Sequence, residues 1–164
     1  MRNSIIAALL LSVLLSTVAR TQSSPTSTLV VKTDIKREVR TKGPDGKEQV
    51  KYETFREAKK EDILVFTLTY TNGGNKDDQS GIMYTLQSDS AFINASGANT
   101  IIQVSVDGGK KWATHPAYFQ ITGPDGKTVQ KPVPLDRITN VRWIFVQPVK
   151  PGQSGQVILR IRVK

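Results

Sequence analysis

From Leu29 onward the apolar positions recur with a period of two. Leu29, Val31, Thr33 and Ile35 alternate with Val30, Lys32, Asp34 and Lys36. Leu64, Phe66, Leu68 and Tyr70 form one face of a run whose other face is Val65, Thr67, Thr69 and Thr71. Ile102, Val104 and Val106 make another such face, and Val141, Trp143 and Phe145 a third, with Arg142 opposite. The cleanest run is the last: Val157, Leu159, Ile161 and Val163 against Ile158, Arg160, Arg162 and Lys164. Successive side chains of a strand point to opposite sides of its sheet, so this alternation predicts strands with one wet face. Threonine and β-branched residues suit that pleated, half-buried surface. Trp143 and Tyr70 are the expected core anchors.

Turn chemistry separates the runs. Gly43-Pro44-Asp45-Gly46-Lys47 and Gly123-Pro124-Asp125-Gly126-Lys127 are the same five residues used twice. Proline presets the entry and glycine supplies the positive φ that closes it, so each predicts a hairpin tip. Their flanks differ, which argues against an internal repeat. Asn72–Asn75, Asp107–Gly109 and Pro151–Gly155 read as further turns, with Gly108 and Gly152 as turn formers. The one helix candidate, Arg56 to Asp62, is short. Many short strands and frequent turns predict an all-β chain, and the mixture of hairpins and longer crossings favours an antiparallel β-sandwich of about seven to nine strands over a barrel.

The first residues follow another rule. Arg2 precedes an apolar run from Ile5 to Leu15, and small and polar residues lead to Thr17-Val18-Ala19. This is the layout of a signal peptide, residues 1–19, cleaved after Ala19. The run falls short of the roughly 20 apolar residues needed to span a bilayer as a helix. Residues 20–28 are polar, contain Pro25 and read as a flexible arm; residues 29–164 make a single domain. The expected location is outside the cytoplasm: periplasm, cell surface or medium.

Composition narrows the chemistry. The 164 residues hold 23 Lys and Arg against 14 Asp and Glu, a net charge of +9, with one His and no Cys. Without cysteine there is no disulfide, no thiol nucleophile, no thiolate metal site and no lipid attached through a thioether. A Ser-His pair would have to use His115, which follows a hairpin, and no Gly-x-Ser-x-Gly elbow is present. No enzyme activity, cofactor or metal is expected. Asn72–Asp78 concentrates oxygen atoms in a glycine-rich loop, but lacks the fixed spacing of a calcium loop and carries Lys76, so solvated turns are the expectation. A Lys–Asn crosslink between Lys32 or Lys36 and Asn140 is not expected, since both lysines alternate away from the apolar face.

The basic excess clusters in two places, Lys36, Arg37, Arg40 and Lys42 early and Arg160, Arg162 and Lys164 late, and these seven form the candidate surface for anionic ligands. Trp112 and Trp143 occupy positions expected to be buried, which leaves few aromatics for base stacking.

The run Glu61 to Asn75, the Ser105-Val106-Asp107-Gly108-Gly109-Lys110-Lys111-Trp112 segment and the closing stretch from Val141 through Lys150-Pro151-Gly152-Gln153-Ser154-Gly155 to Val163 together resemble the DUF11-type repeat. The resemblance covers about residues 56–164. It implies an immunoglobulin-like β-sandwich from a prokaryotic surface or exported protein, acting without catalysis. One departure is that Gly81–Ser88 lacks the proline this family usually carries after its second strand. The hairpin from Leu29 to Phe55 lies outside the repeat. The function expected is an exported module of the cell envelope or surface, acting in adhesion or structural binding. Its partners would be envelope proteins or anionic polymers: polysaccharide, lipopolysaccharide or extracellular DNA. The alternative is a self-assembling filament or matrix subunit, a homo-oligomer that exchanges its N-terminal strand.

Overall fold

The computed structural model describes residues 27–164; the expected signal peptide, residues 1–19, and most of the expected arm, up to residue 26, lie outside the described residues. Eleven strands follow in chain order: β1 (Leu29–Lys42), β2 (Glu48–Glu53), β3 (Ile63–Asn72), β4 (Ile82–Thr85), β5 (Ser90–Gly97), β6 (Thr100–Ser105), β7 (Ala113–Thr114), β8 (Tyr118–Thr122), β9 (Thr128–Pro132), β10 (Asn140–Phe145) and β11 (Ser154–Val163). Five join in the order β2-β1-β3-β11-β5 and four in the order β4-β10-β6-β7, while β8 and β9 form a separate hairpin. Every pairing of these strands is antiparallel. The expected antiparallel sandwich is therefore formed: its two sheets hold nine strands, within the expected seven to nine, and the β8–β9 hairpin lies outside them. Arg56–Asp62 is a turn-rich link, not a helix, and Phe55 beside it packs onto the core.

The alternation sorts side chains as predicted where the two sheets overlap. Leu64, Phe66, Leu68 and Tyr70 of β3 and Val157, Leu159 and Ile161 of β11 face Val141, Trp143 and Phe145 of β10 and Val104 of β6. Trp143 is fully buried, and its indole N–H donates to the Ser96 carbonyl at 3.1 Å, which satisfies the one polar atom it brings inside. Tyr70 meets Phe145 at 4.8 Å between ring centres, and Phe66 meets Tyr84 edge-on at 5.3 Å. Where the sheets do not overlap, period two sets a side but not a burial. Val31 and Ile35 point to the core side of β1 yet stay 40% and 39% exposed, and Val106 also stays exposed.

The twin five-residue turns take the same conformation. Gly46 and Gly126 share φ 76°, and in each turn the first glycine N–H donates to the lysine carbonyl at 2.8 Å. Asp45 and Asp125 each accept the N–H of the residue two positions on, at 3.2 Å. Identical sequence gives identical geometry because proline, the aspartate side chain and the left-handed glycine each remove one local freedom.

The start of β1 is fastened by buried polar groups of the Asn72–Asp78 loop. The Asn72 amide donates to the carbonyls of Lys76 and Val149, both at 2.7 Å, while its oxygen accepts the Gly74 N–H at 2.9 Å. Asp78 accepts the Thr28 N–H at 2.6 Å and the Ser80 N–H at 2.8 Å. The Thr28 hydroxyl lies between Asn72 Oδ1 at 2.7 Å and Asp78 Oδ2 at 3.0 Å and donates to one of them at a time. Burial opposes the charge on Asp78, but the donors of Ser80 and Thr28 outweigh it and hold the carboxyl far below the usual carboxylate range. With the folded value well below the unfolded value of about 3.9, this stabilisation is complete above the unfolded value and is lost progressively as pH falls from there toward the much lower folded value. Asp78→Asn replaces an acceptor with a donor among donors. It should cost about 2–3 kcal/mol at neutral pH in urea unfolding, and the gap to the parent should narrow between pH 5 and pH 2. A gap that stays constant across that range would show that the charge contributes nothing.

Candidate functional site

The five-stranded sheet has an outer face, turned away from the core. Register places its members: Lys36 of β1 and Arg160 of β11 both lie opposite Val65 of β3, and Glu38 and Arg162 both lie opposite Ile63. Tyr52 of β2 lies opposite Glu38, while Asn94 and Ser96 of β5 lie opposite Arg160 and Ile158. Period two then adds Arg40 and Lys42 to the same side. Val65 is only 9% exposed although it faces outward, because the long side chains around it close over the sheet.

At the centre of this face is an acid. The Glu38 side chain is 2% exposed, and both of its oxygens lie 2.7 Å from one guanidinium nitrogen of Arg160. Arg40 adds a third bond through Nε at 3.0 Å and reaches Glu48 at 3.4 Å. A carboxylate so desolvated is tolerable only with its charge matched and its lone pairs occupied, as here. The Arg160 Nε is buried without a hydrogen-bond partner.

The other candidate cations fall into place around this pair. Lys36 lies 3.7 Å from Asp34, and Arg162 lies 3.5 Å from Glu61. Arg37 points to the opposite side of β1, where it bridges Glu53 and Asp62. Lys42 pairs with no acid among the described residues, and Lys164, just past β11, donates to the Ser88 carbonyl at 3.4 Å. Five of the seven predicted residues, Lys36, Arg40, Lys42, Arg160 and Arg162, thus share one face, and Arg37 leaves it. Four of those five are partly neutralised by acids. Sequence reasoning missed Glu38 and Tyr52. The signal for Glu38 was present, since it alternates on one side with Lys36 and Arg40.

Beside the ion pair is a shallow depression of about 330 Å³, with Val65 and Ile158 in it and Asp34, Lys36, Tyr52, Asn94 and Arg160 around it. Tyr52 is 55% exposed, an aromatic ring open to solvent among polar groups. A larger depression of about 670 Å³ opens at one end of the sandwich between Asn99, Phe145 and residues 147–156, and Lys150 is its only charged lining residue. The smaller one coincides with the charged and aromatic groups, which makes it the better candidate despite its size.

Other sequence candidates resolve as structure. Among the described residues no three His, Cys, Asp or Glu side chains converge as a metal site, and the oxygens of Asn72 and Asp78 are turned toward protein donors. Asn140 donates to the Thr85 hydroxyl in the four-stranded sheet, whereas Lys32 and Lys36 point outward from the other sheet. His115 is not a free loop side chain. It packs edge-on against Phe92 at 5.2 Å, and burial lowers its pKa. Trp112, expected inside, lies half-buried on the outside with the Arg142 guanidinium 4.3 Å above its ring.

No protein-family model matches the chain, and neither a curated protein nor a solved structure shows significant similarity to it.

The buried pair generates a test. Glu38→Ala leaves Arg160 half-enclosed without its counter-charge and should cost about 3 kcal/mol in denaturant unfolding. Adding Arg160→Ala should cost less than the sum of the single changes, with a coupling of at least about 1 kcal/mol. Strict additivity would mean that the two groups act through solvent alone.

Proposed function

We propose that this chain is an exported, non-catalytic β-sandwich module of the cell envelope or surface, akin to the DUF11-type repeat, that binds acidic polysaccharide through the outer face of its five-stranded sheet. The observation that carries this reading is the grouping of Lys36, Arg40, Lys42, Arg160 and Arg162 with the exposed Tyr52 on one sheet face. Acid partners do not cancel the proposal. An arginine held rigidly by a carboxylate keeps free N–H donors in a fixed orientation, which suits carboxylate or sulfate groups on a chain. The exposed ring beside amide and hydroxyl groups suits the apolar side of a sugar. Acidic polysaccharide fits this face better than DNA, because one exposed tyrosine gives no ladder for base stacking. The signal-peptide reading of residues 1–19 supplies the compartment.

Exchange of the N-terminal strand has less support, since β1 pairs with β3 of its own chain over the whole stretch from Leu29 to Glu38.

Binding to an immobilised polyuronate, with neutral dextran and duplex DNA alongside, tests the proposal. The triple variant Lys42→Ser, Tyr52→Ala, Arg162→Ser touches no core residue. At about 1 kcal/mol per surface cation, it should weaken polyuronate binding by at least about tenfold. Raising salt from 0.1 M to 1 M shortens the screening length from about 10 Å to about 3 Å and should release the parent protein. Equal retention of parent and variant, or retention on dextran, would sink the reading.

A further inference from the structure

Among the described residues one edge of β1 is open before Arg37, and its residues are complementary to themselves. The Asn72 N–H donates to Gln153 on the β11 side at 3.0 Å, while the next residue, Gly73, donates to Thr28 on the β1 side at 3.1 Å. Backbone groups of successive strand residues point to alternate sides. The odd positions of β3 therefore bond β1, and their partners in register are Val30, Lys32, Asp34 and Lys36. It follows that Leu29, Val31, Thr33 and Ile35 direct their N–H and C=O groups to the other edge. The turn at Gly43, whose N–H donates to Lys47 toward β2, obeys the same parity. Strand β2 covers that edge only from Arg37 onward, and among the described residues no strand pairs with residues 29–36 there. Ordinary edge strands are short or interrupted by proline or a bulge. This one is regular and carries Val31 and Ile35, both about two-fifths exposed, on its core side.

We infer that a second copy of this chain pairs with the open edge, β1 against β1, antiparallel about a two-fold axis through Thr33. Thr33 then bonds Thr33 of the other copy, and Val31 and Ile35 bond each other in both directions, which uses all six free N–H and C=O pairs of these residues. Register does the rest. Directly opposite positions share a face, so Val31 packs on Ile35 and Lys32 lies against Asp34, each twice by symmetry. Asp34 has an exposed carboxylate, 65% accessible, that pairs loosely with the Lys36 ammonium at 3.7 Å and keeps room for a second cation. An isologous contact requires a patch that complements itself under rotation, and the sequence Val31-Lys32-Thr33-Asp34-Ile35 does so in both charge and apolarity. The stretch before Arg37 provides the length needed before β2 intervenes. No strand is exchanged, and the inference is independent of what the outer face binds.

Sedimentation equilibrium on the chain lacking residues 1–19 is the test. The parent should associate to a dimer. Lys32→Asp alone sets Asp against Asp34, and Asp34→Lys alone sets Lys against Lys32. Each should raise the dissociation constant by about tenfold or more. An equimolar mixture of the two variants places opposite charges at every contact and should restore the dimer as a heterodimer. Thr33→Pro removes one N–H from the open edge without touching the β1–β3 ladder, and should leave a folded monomer by circular dichroism. A parent that stays monomeric to about 100 μM, a level at which even weak dimers are populated, would overturn the inference. So would a dimer indifferent to the charge changes, or one that survives Thr33→Pro.

Discussion

The carboxylate of Asp78 accepts hydrogen bonds from Thr28 and Ser80, while its backbone exchanges bonds with Val149. One residue therefore fastens the beginning of β1 to the link between β10 and β11, and so joins the two sheets at one end of the sandwich. The seating of β1 depends on it. With Thr28 held, Leu29 falls opposite Asn72, and the register carries on to Glu38 opposite Ile63. A slip of one residue would turn Glu38 toward the core and bring Arg37 to the outer face. The polar loop is thus a positioning device whose effect is felt ten residues away.

The far end of that register holds a second buried acid. Glu38 is nearly as inaccessible as the core leucines, yet it lies on the face that should be wet. Arginine stems supply the cover and arginine heads supply the charge. Because Arg160 comes from a strand far along the chain, the pair forms only when β1, β3 and β11 are all in register. It offers modest net stability and strong discrimination between alternative pairings. The outer face is accordingly closed over in its middle and more exposed toward Lys42 and Tyr52 at the rim.

Much of this was legible in the residues. The alternations Leu64–Tyr70, Val141–Phe145 and Val157–Ile161 define the core because both sheets cover them, and the two Gly-Pro-Asp-Gly-Lys segments define hairpins because their chemistry is local. What period two does not encode is how far the opposite sheet extends. Val31, Ile35 and Val106 have the right pattern, but among the described residues they stay partly exposed. Nor does a count of charges reveal pairing between distant residues. Arg160 reads as a free cation until β1 brings Glu38 beside it, and Arg37 reads as part of the same cluster although one step along a strand reverses its side. Trp112 looked like core because tryptophan is usually buried. Its place after the β6 turn instead puts it under Arg142.

The arrangement around β3 has a mechanical meaning. Strands β1 and β11 flank β3 and both run antiparallel to it, so they run parallel to each other. Leu29 and Ser154 lie at one end of the ribbon, and Glu38 and Arg162 at the other, about nine residues or roughly 30 Å away. Tension applied at Leu29 and at Val163 would act along the strands and across their hydrogen bonds, which lie perpendicular to the pull. The two ladders would carry that load in series, each in shear, so the bonds within a ladder would have to break together, whereas a hairpin pulled at its open end fails one bond at a time. A chain tethered at both ends of this domain would hold as a clamp, with β3 as the element that carries the force.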